Sequence, residues 1–186
     1  MTPYLRIALC AGIAAAVALP AAAQQAAKPA AKPAELSVKV SKITDKGSGE
    51  AIGKIYFKDG PKGMIVTPRL KDLPPGPHGF HVHEARSCAP KAGPDGRMVP
   101  GLAASGHFDP DKTGKHSGPE GKGHLGDLPA LEVAADGTAK KPIIAPQLRV
   151  TDLKGKALVI HAGGDNYADQ PAPLGGGGAR IACGVI

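Results

Sequence analysis

Residues 76–83 read GPHGFHVH, and the alternation of apolar and imidazole side chains in the second half is typical of a β-strand. We predict a strand from Pro77 to His83. Successive side chains of a strand point to opposite faces, so His81 and His83 share one face, about 7 Å apart. Two imidazoles placed in this way can converge on one metal ion. His78 has the opposite parity, and we interpret it as structural.

Similar alternation marks other short segments on both sides of this stretch. We predict further strands at residues 36–41, 52–57, 64–70, 130–133, 138–144, 157–161 and 180–185. The first three form a meander, and the turn residues 135–137 join 130–133 to 138–144 as a hairpin. No segment has a sustained helical period of apolar residues. The fold class we expect is therefore all-β, with about eight antiparallel strands in a sandwich or flattened barrel.

The loops of this sequence are unusually long. The 26 glycines and 19 prolines among 186 residues demand many turns and argue against a helical bundle. Two segments, 84–128 and 162–179, show no strand pattern. Ordered loops of this length are usually functional, and something must hold them in place. Metal ions and a disulfide are the candidates that their residues offer.

Composition limits the partners that this chain can have. An 18.7 kDa chain with a formal net charge of +7 fits one basic globular domain. Three Phe, three Tyr and no Trp leave it without the aromatic platforms on which single-stranded nucleic acids stack. We therefore predict no nucleic-acid partner and expect the positive charge to serve a small anion.

The first 34 residues are predicted to lie outside the folded domain, which we place at 35–186. Arg6, the apolar run 7–19 and the small residues 20–23 form a secretory signal at 1–23, with cleavage near Ala23 and Gln24. The run is too short to span a bilayer, so we expect no stable membrane association after its removal. Residues 24–34 read as a flexible leader rich in Ala, Pro and Lys.

Cleavage of the signal would remove Cys10 and leave two cysteines, Cys88 and Cys183. In an oxidising compartment, a disulfide between them is favoured over two free thiols. Closing a loop of about 95 residues would stabilise the fold by roughly 4–5 kcal/mol in the chain-entropy treatment.

Histidines are concentrated in one part of the chain. Six of the seven fall between residues 78 and 124, and the seventh, His161, ends the predicted strand 157–161. His107, His116, His124 and Asp127 come from a single loop, as expected where a metal ion organises the chain. Three imidazoles and one carboxylate make a good tetrahedral zinc site.

Five motifs follow one another along the chain: GPHGFHVH at 76–83, GHFDP at 106–110, KHSGP at 115–119, GHLGDLP at 123–129 and GGGGARIACGVI at 175–186. In this order and combination they resemble the copper,zinc superoxide dismutases, and specifically the exported bacterial branch of that family. The resemblance covers residues 36–186. It implies a Greek-key β-sandwich, in agreement with the strand pattern.

The resemblance also implies two neighbouring metal sites, with one copper ion and one zinc ion per subunit. The copper ligands would be His81, His83, His107 and His161. The zinc ligands would be His107, His116, His124 and Asp127, so that the ring of His107 bridges both ions. Further matches are Arg180, which attracts the substrate beside copper, Asp165, which links the two sites, and Cys88 and Cys183, which form the disulfide of the family.

The activity implied is the conversion of superoxide to dioxygen and hydrogen peroxide, by alternate reduction and reoxidation of copper beside a structural zinc. Arg180 and His107 would be the catalytic residues, Arg180 in capturing the anion and His107 in delivering a proton. The expected location is the periplasm. The sequence leaves both a monomer and a homodimer open.

Two other functions compete with a dismutase. A periplasmic copper carrier on the same sandwich usually needs exchangeable thiolates, which a disulfide would remove. A hydrolytic zinc enzyme needs an open coordination position, and four protein ligands leave none. One residue departs from the pattern expected of relatives: Ser105 precedes Gly106 where we expect glycine, which bears on the geometry of the loop.

Overall fold

The computed structural model describes residues 35–186, so the predicted signal and leader lie outside the described residues. Residues 35–186 form an all-β fold with three short 3₁₀ turns and no α-helix, as the sequence predicted. Within that range, no helix has the length and apolar character needed to cross a membrane.

Eleven strands make up the described part of the chain. They are β1 (Glu35–Thr44), β2 (Gly47–Gly60), β3 (Gly63–Leu70), β4 (Gly76–His78), β5 (Phe80–His83), β6 (Lys91–Ala92), β7 (Met98–Val99), β8 (Leu131–Val133), β9 (Ile143–Ala145), β10 (Ala157–His161) and β11 (Arg180–Val185). Seven of them form one antiparallel sheet in the order β5-β10-β11-β1-β2-β3-β9. The other four form two ladders, β4 with β8 and β6 with β7.

The sheet curls around one hydrophobic core. On β1 and β2, buried residues such as Val38 and Ile55 alternate with exposed ones, which is the pattern of strands with one solvated face. These side chains share a core with Phe80 on β5, at one edge of the sheet, and with Met64 on β3 and Ile143 on β9, at the other edge. The two ends of the sheet therefore face each other across this core.

Strands β5 and β10 are buried on both faces, and this burial determines where their histidines lie. Phe80 and Val82 of β5 point into the core, as do Leu158 and Ile160 of β10. The opposite faces of the two strands carry histidines, which are buried under the long loops. The alternation in residues 76–83 thus encodes one apolar face and one imidazole face.

Two strand predictions need correction. The predicted strand 77–83 breaks at Gly79, because β4 pairs with β8 whereas β5 pairs with β10. The predicted hairpin of 130–133 with 138–144 keeps its turn, in which Ala134 N donates to Thr138 O, but its strands do not pair. Strand β9 pairs with β3 instead. The proline at 142 has no N–H to offer a ladder, and the chain leaves the hairpin before it.

A disulfide joins Cys88, in the loop after β5, to Cys183 on β11, across a sequence separation of 95. Both residues lie in a small second core with Ile43, Ala104 and Val159. The predicted disulfide is therefore confirmed. It fastens the first part of the long loop 84–128 to the sheet.

Candidate metal centre

The long loop before β8 is attached to β5 by backbone hydrogen bonds. Val82 N donates to Gly126 O (2.9 Å), and Phe108 N donates to Val82 O (2.8 Å). Glycine is required at 126, because a Cβ there would lie 2.2 Å from Val82 O. These contacts bring the neighbouring residues, His107 and Asp127, against the imidazole face of β5.

Four histidines meet between β5, β10 and this loop. His81, His83, His107 and His161 are buried, and each offers one potential ligand atom within 4.8 Å of the other three. These are the four residues predicted to bind copper. His78 is not among them, and its ring nitrogens lie 2.7 Å from His161 O and 2.8 Å from Pro74 O. It has the structural role that its parity predicted.

Each ring of the strand-borne histidines is oriented through its second nitrogen. His83 Nδ1 donates to Ser105 O (2.9 Å), and His161 Nδ1 donates to Gly178 O (3.1 Å). His81 Nε2 lies 2.7 Å from Asp165 Oδ2. Such contacts fix the tautomer and leave the other nitrogen of each ring free to bind a metal ion.

The carboxylate of Asp127 is surrounded by three imidazoles. Its Oδ1 is 2.9 Å from His107 Nδ1 and 3.5 Å from His124 Nδ1, and its Oδ2 is 2.9 Å from His116 Nδ1. The four residues predicted to bind zinc therefore lie together. The group on this side whose potential ligand atoms all lie within 4.8 Å of one another contains His81 in place of His124, whose side chain lies nearer the surface and is 9% exposed.

The ring of His107 lies between the two groups. Its centre is 4.0 Å from that of His81 and 5.2 Å from that of His124. Its Nδ1 faces Asp127, whereas its Nε2 has no hydrogen-bond partner. One side chain is thus shared by both halves of the centre.

The donor atoms of this centre fit copper and zinc. Six buried ring nitrogens have no hydrogen-bond partner: His81 Nδ1, His83 Nε2, His107 Nε2, His116 Nδ1, His124 Nδ1 and His161 Nε2. His116 Nδ1 is close to Asp127 but lacks the alignment of a hydrogen bond. Unpartnered buried polar atoms are rare because they cost free energy, so six at one place indicate metal ligation. Imidazole nitrogens suit both metals, and a carboxylate suits zinc.

The pKa values of the four histidines in the first group are shifted in the opposite direction from that of His116. Burial lowers the pKa of His81 to about 3 and that of His161 to about 4, and it also lowers the pKa values of His83 and His107. At neutral pH these rings are uncharged and their lone pairs are available to a metal. Burial acts in the same direction on His116, but the two carboxylates beside it outweigh burial and raise its pKa to about 9.

Asp165 contacts one histidine in each of the two groups. Its Oδ2 lies 2.7 Å from His81 Nε2, and its Oδ1 lies 2.8 Å from His116 Nε2. The imidazoles outweigh burial and hold the pKa of this carboxyl below its usual range. Gly175 leaves room for it, since a Cβ there would lie 2.0 Å from Asp165 Oδ1. This contact explains one glycine of the run at 175–178.

Arg180 is held beside the histidines by two backbone carbonyls. Its Nη1 donates to Gly101 O (2.6 Å), and its Nη2 donates to Ser105 O (2.7 Å). Ser105 therefore orients both Arg180 and the ring of His83. It does so at φ 68° and ψ −155°, a region that is essentially restricted to glycine. The serine that stands where we expected glycine thus has a strained backbone, at the position that holds His83 and Arg180.

The sequence did not single out Asp169 and Tyr167. Asp169 Oδ2 accepts a hydrogen bond from His116 N (3.0 Å), so loop 162–179 holds His116 by its backbone as well as its ring. Tyr167 packs on Gly118, where a Cβ would come within 2.7 Å of the tyrosine Cβ, and its hydroxyl accepts from Ala130 N. The only sequence signal was their position four and two residues after Asp165.

Comparisons with known proteins agree with this geometry. The family model of copper/zinc superoxide dismutase matches residues 51–186. Superoxide dismutase [Cu-Zn] 1 of Salmonella typhimurium is 58% identical over 153 residues, which are 81% of this chain and 86% of the relative. Superoxide dismutase [Cu-Zn] of Escherichia coli is 54% identical over 150 residues, 80% of this chain and 86% of that protein.

A solved structure has the same fold. The Cu/Zn superoxide dismutase from Brucella abortus superposes with a TM-score of 0.80 at 48% identity, covering 82% of this chain and 99% of that one. A family match over most of the chain and identities of this size establish common descent. The chain belongs to the copper/zinc superoxide dismutase family.

Proposed function

We propose that this protein is a superoxide dismutase that binds copper through His81, His83, His107 and His161. In the same proposal it binds zinc through His107, His116, His124 and Asp127, with one ion of each kind per subunit. The observation that carries the proposal is the gathering of six unpartnered buried ring nitrogens at one place, in two groups of potential ligands that overlap at His81 and His107.

The reaction converts two superoxide anions and two protons to dioxygen and hydrogen peroxide. When bound, copper supplies the one-electron redox couple, and zinc has no accessible redox change. The strand-borne rings are held in place by the carbonyls of Ser105 and Gly178, so little reorganisation is needed between the two half-reactions.

Arg180 is the residue that captures the anion in this proposal. Its guanidinium uses two of its five N–H groups on the carbonyls of Gly101 and Ser105, which fixes its plane and leaves the rest for an anion. The groove that leads to it is also lined by Lys91, Ser105 and Gly106. A positive groove of this kind attracts a small anion and raises the association rate.

His107 is the proton carrier in this proposal. Its Nε2 is buried and unpartnered, while Nδ1 is held by Asp127 at 2.9 Å. Asp127 would be a fellow zinc ligand, so the Nδ1 edge of the ring would stay in place whether zinc or the contact with Asp127 holds it. A ring held at that edge could gain and lose a proton at Nε2 without turning, which is what a general acid in a buried site needs.

A copper carrier on the same sandwich is not favoured. Cys88 and Cys183, the cysteines within residues 35–186, are bonded to each other, so they offer no thiolate for exchange. The anchoring of the rings of His81, His83 and His161 through a second contact also suits a permanent site better than an exchangeable one.

The test is to purify the protein, measure its copper and zinc content, and assay superoxide removal before and after chelation. We expect one copper and one zinc per chain, activity that disappears with the chelator, and recovery when copper is returned. A protein that holds both metals and removes no superoxide would refute the proposal and favour the carrier.

The proposal also covers processing and location. Residues 1–23 would be removed as a signal and the protein would reside in the periplasm, which the Gram-negative relatives support. The mass of the isolated protein should correspond to a chain that begins near Gln24. Sedimentation will decide between a monomer and a homodimer; the related copper, zinc superoxide dismutase from Salmonella enterica, solved in solution, is monomeric.

A further inference from the structure

A row of three cations crosses the outer face of the sheet. In the register of the strands, Lys39 of β1 lies directly opposite Lys54 of β2, and Lys54 lies directly opposite Arg69 of β3. All three are exposed. Since neighbouring strands are about 4.8 Å apart, the three side chains begin within about 10 Å of one another. We call Lys39, Lys54 and Arg69 the cationic row.

The fold does not need this arrangement. Like charges directly opposite each other destabilise a sheet, and an acid at any one position would relieve the repulsion. The same face shows the usual solution four residues along the strands, where Glu35 lies opposite Lys58. Within residues 35–186, no acidic group lies within 4 Å of the charge of any member of the cationic row. Repulsion that folding does not require indicates a partner that supplies negative charge.

The row next to the cations carries an aromatic ring and hydroxyl groups. Ser37, Tyr56 and Thr67 lie opposite one another on β1, β2 and β3, one step along the same face. Tyr56 is 46% exposed and borders a groove whose lining includes two cations, Lys58 and Arg69, and one carboxylate, Glu35. A ring flanked by hydroxyls is suited to stacking with a sugar and hydrogen bonding to its hydroxyl groups.

From these two rows we propose that the outer face of β1–β3 is a docking surface for a linear anionic polysaccharide. The strand spacing is comparable to the length of one pyranose ring, so a polymer with one charged group on each sugar can follow the cationic row. Its sugars can then contact Tyr56. A lipid surface would instead call for protruding apolar side chains directly beside the cations. The row beside the cationic row offers two hydroxyl side chains and Tyr56, and the exposed Ile144 of β9 lies one row farther away, in line with Lys58 and Ile65.

The surface is separate from the metal centre. Strands β10 and β11 lie between β5, which carries His81 and His83, and β1. Substitutions in the cationic row should therefore leave the metals and the catalytic activity unchanged. This separation allows the docking surface to be tested without disturbing the metal centre.

The experiment measures binding of the purified holoenzyme to polygalacturonate, a linear polymer with one carboxylate per sugar, at several salt concentrations. The test variant is K39Q/K54Q/R69Q. Its matched control, K46Q/K140Q/K154Q, removes the same charge from exposed lysines on three separate loops. We expect at least a tenfold rise in Kd for the test variant, less than a twofold rise for the control, and equal metal content for both.

A second variant, Y56A, tests the sugar contact. It should weaken binding even at salt concentrations where the charges are largely screened. Equal losses in the test and control triple variants would overturn the proposal, because net charge alone would then explain binding. So would failure of the wild-type protein to bind the polymer, or tighter binding to vesicles of anionic phospholipid than to the polysaccharide.

Discussion

The two halves of the metal centre are built by different means. On the copper side, His81, His83 and His161 stand on strands that are buried on both faces. Two of these rings are fixed by backbone carbonyls, and burial keeps the pKa values of all three low. On the zinc side, His116, His124 and Asp127 come from one loop and are gathered by carboxylate contacts.

The two sides are therefore held in place by different interactions. The strands hold the copper side whether or not an ion is bound, because sheet pairing and core packing place the backbone. The zinc side lacks regular secondary structure, so charge interactions and the metal must hold it. Changes on the copper side should consequently affect the chemistry, and changes on the zinc side should affect the order of the loop.

The largest effect is expected from His161→Ala. The substitution removes one of the four proposed copper ligands but leaves the proposed zinc ligands untouched, so copper binding and dismutase activity should be lost while zinc content stays near one per chain. Metal analysis and an activity assay on the same sample check this. Full activity in this variant would disprove the ligand assignment.

On the zinc side, Asp127→Asn should affect the loop more than the copper side. Its carboxylate contacts three imidazoles, so zinc affinity should fall by at least about 10- to 100-fold, the loss typical of removing even an outer partner of a metal ligand. Hydrogen exchange should increase in residues 107–128 and stay slow in β5 and β10. Equal increases in the strands would contradict the separation of the two halves.

In the metal-free protein, the opposite pKa shifts on the two sides should make the free energy of unfolding decline at both acid and alkaline pH. The pKa values of His81, His83, His107 and His161 are low in the folded protein, whereas histidines in the unfolded chain have a pKa of about 6.5. Below that pH the unfolded chain therefore binds more protons than the folded protein. The free energy of unfolding should therefore fall as the pH drops from about 6.5 toward 4. The raised pKa of His116 acts oppositely, and its contribution should be lost as the pH rises from about 6.5 through about 9.

Urea unfolding of the metal-free protein between pH 4 and 9 measures both declines. The variant H116Q should lose the decline at alkaline pH and retain the decline at acid pH, because only the zinc-side histidine has a raised pKa. An acid decline that disappears together with the alkaline one would show that the two halves titrate as a unit.

A smaller effect is expected from Asp169→Ala, which removes the acceptor for His116 N and leaves the metal ligands in place. Zinc affinity should fall by about tenfold, at the low end of the range for indirect partners, with copper affinity unchanged. Asp111→Ala is a suitable control, because Asp111 is an exposed residue of the neighbouring loop. A zinc affinity equal to that of the control would exclude a positioning role.

The smallest effect concerns Ser105. Ser105→Gly should stabilise the protein by about 1 kcal/mol, since glycine adopts the observed backbone angles without strain but gains more freedom on unfolding. The carbonyl that holds His83 and Arg180 remains, so activity should not change. Thermal unfolding should show a rise of about 2–4 °C, and Ser105→Ala should show none.

Much of the metal centre could be predicted from local sequence. The alternation at 80–83 placed His81 and His83 on one face, and the position of His161 at the end of an apolar strand placed it at a strand terminus. What could not be predicted is the set of backbone contacts that orient the rings. Every residue has a backbone carbonyl, so the sequence does not mark those of Ser105 and Gly178 as the acceptors. The pairing of β8 and β9 was missed for a related reason, since turn residues specify a turn but not which strands pair beyond it.

The sequence by itself determined the all-β fold class, the split of β5 into an apolar and an imidazole face, and the side chains able to bind metal, since these follow from side-chain chemistry and a two-residue period. Only the tertiary structure decided that the ring of His107 stands between two ligand groups, that Asp165 touches both, and that three cations from three strands form one row. Those relations depend on long-range pairing, in which residues far apart in the chain meet because the sheet curls and the loops are fastened to it.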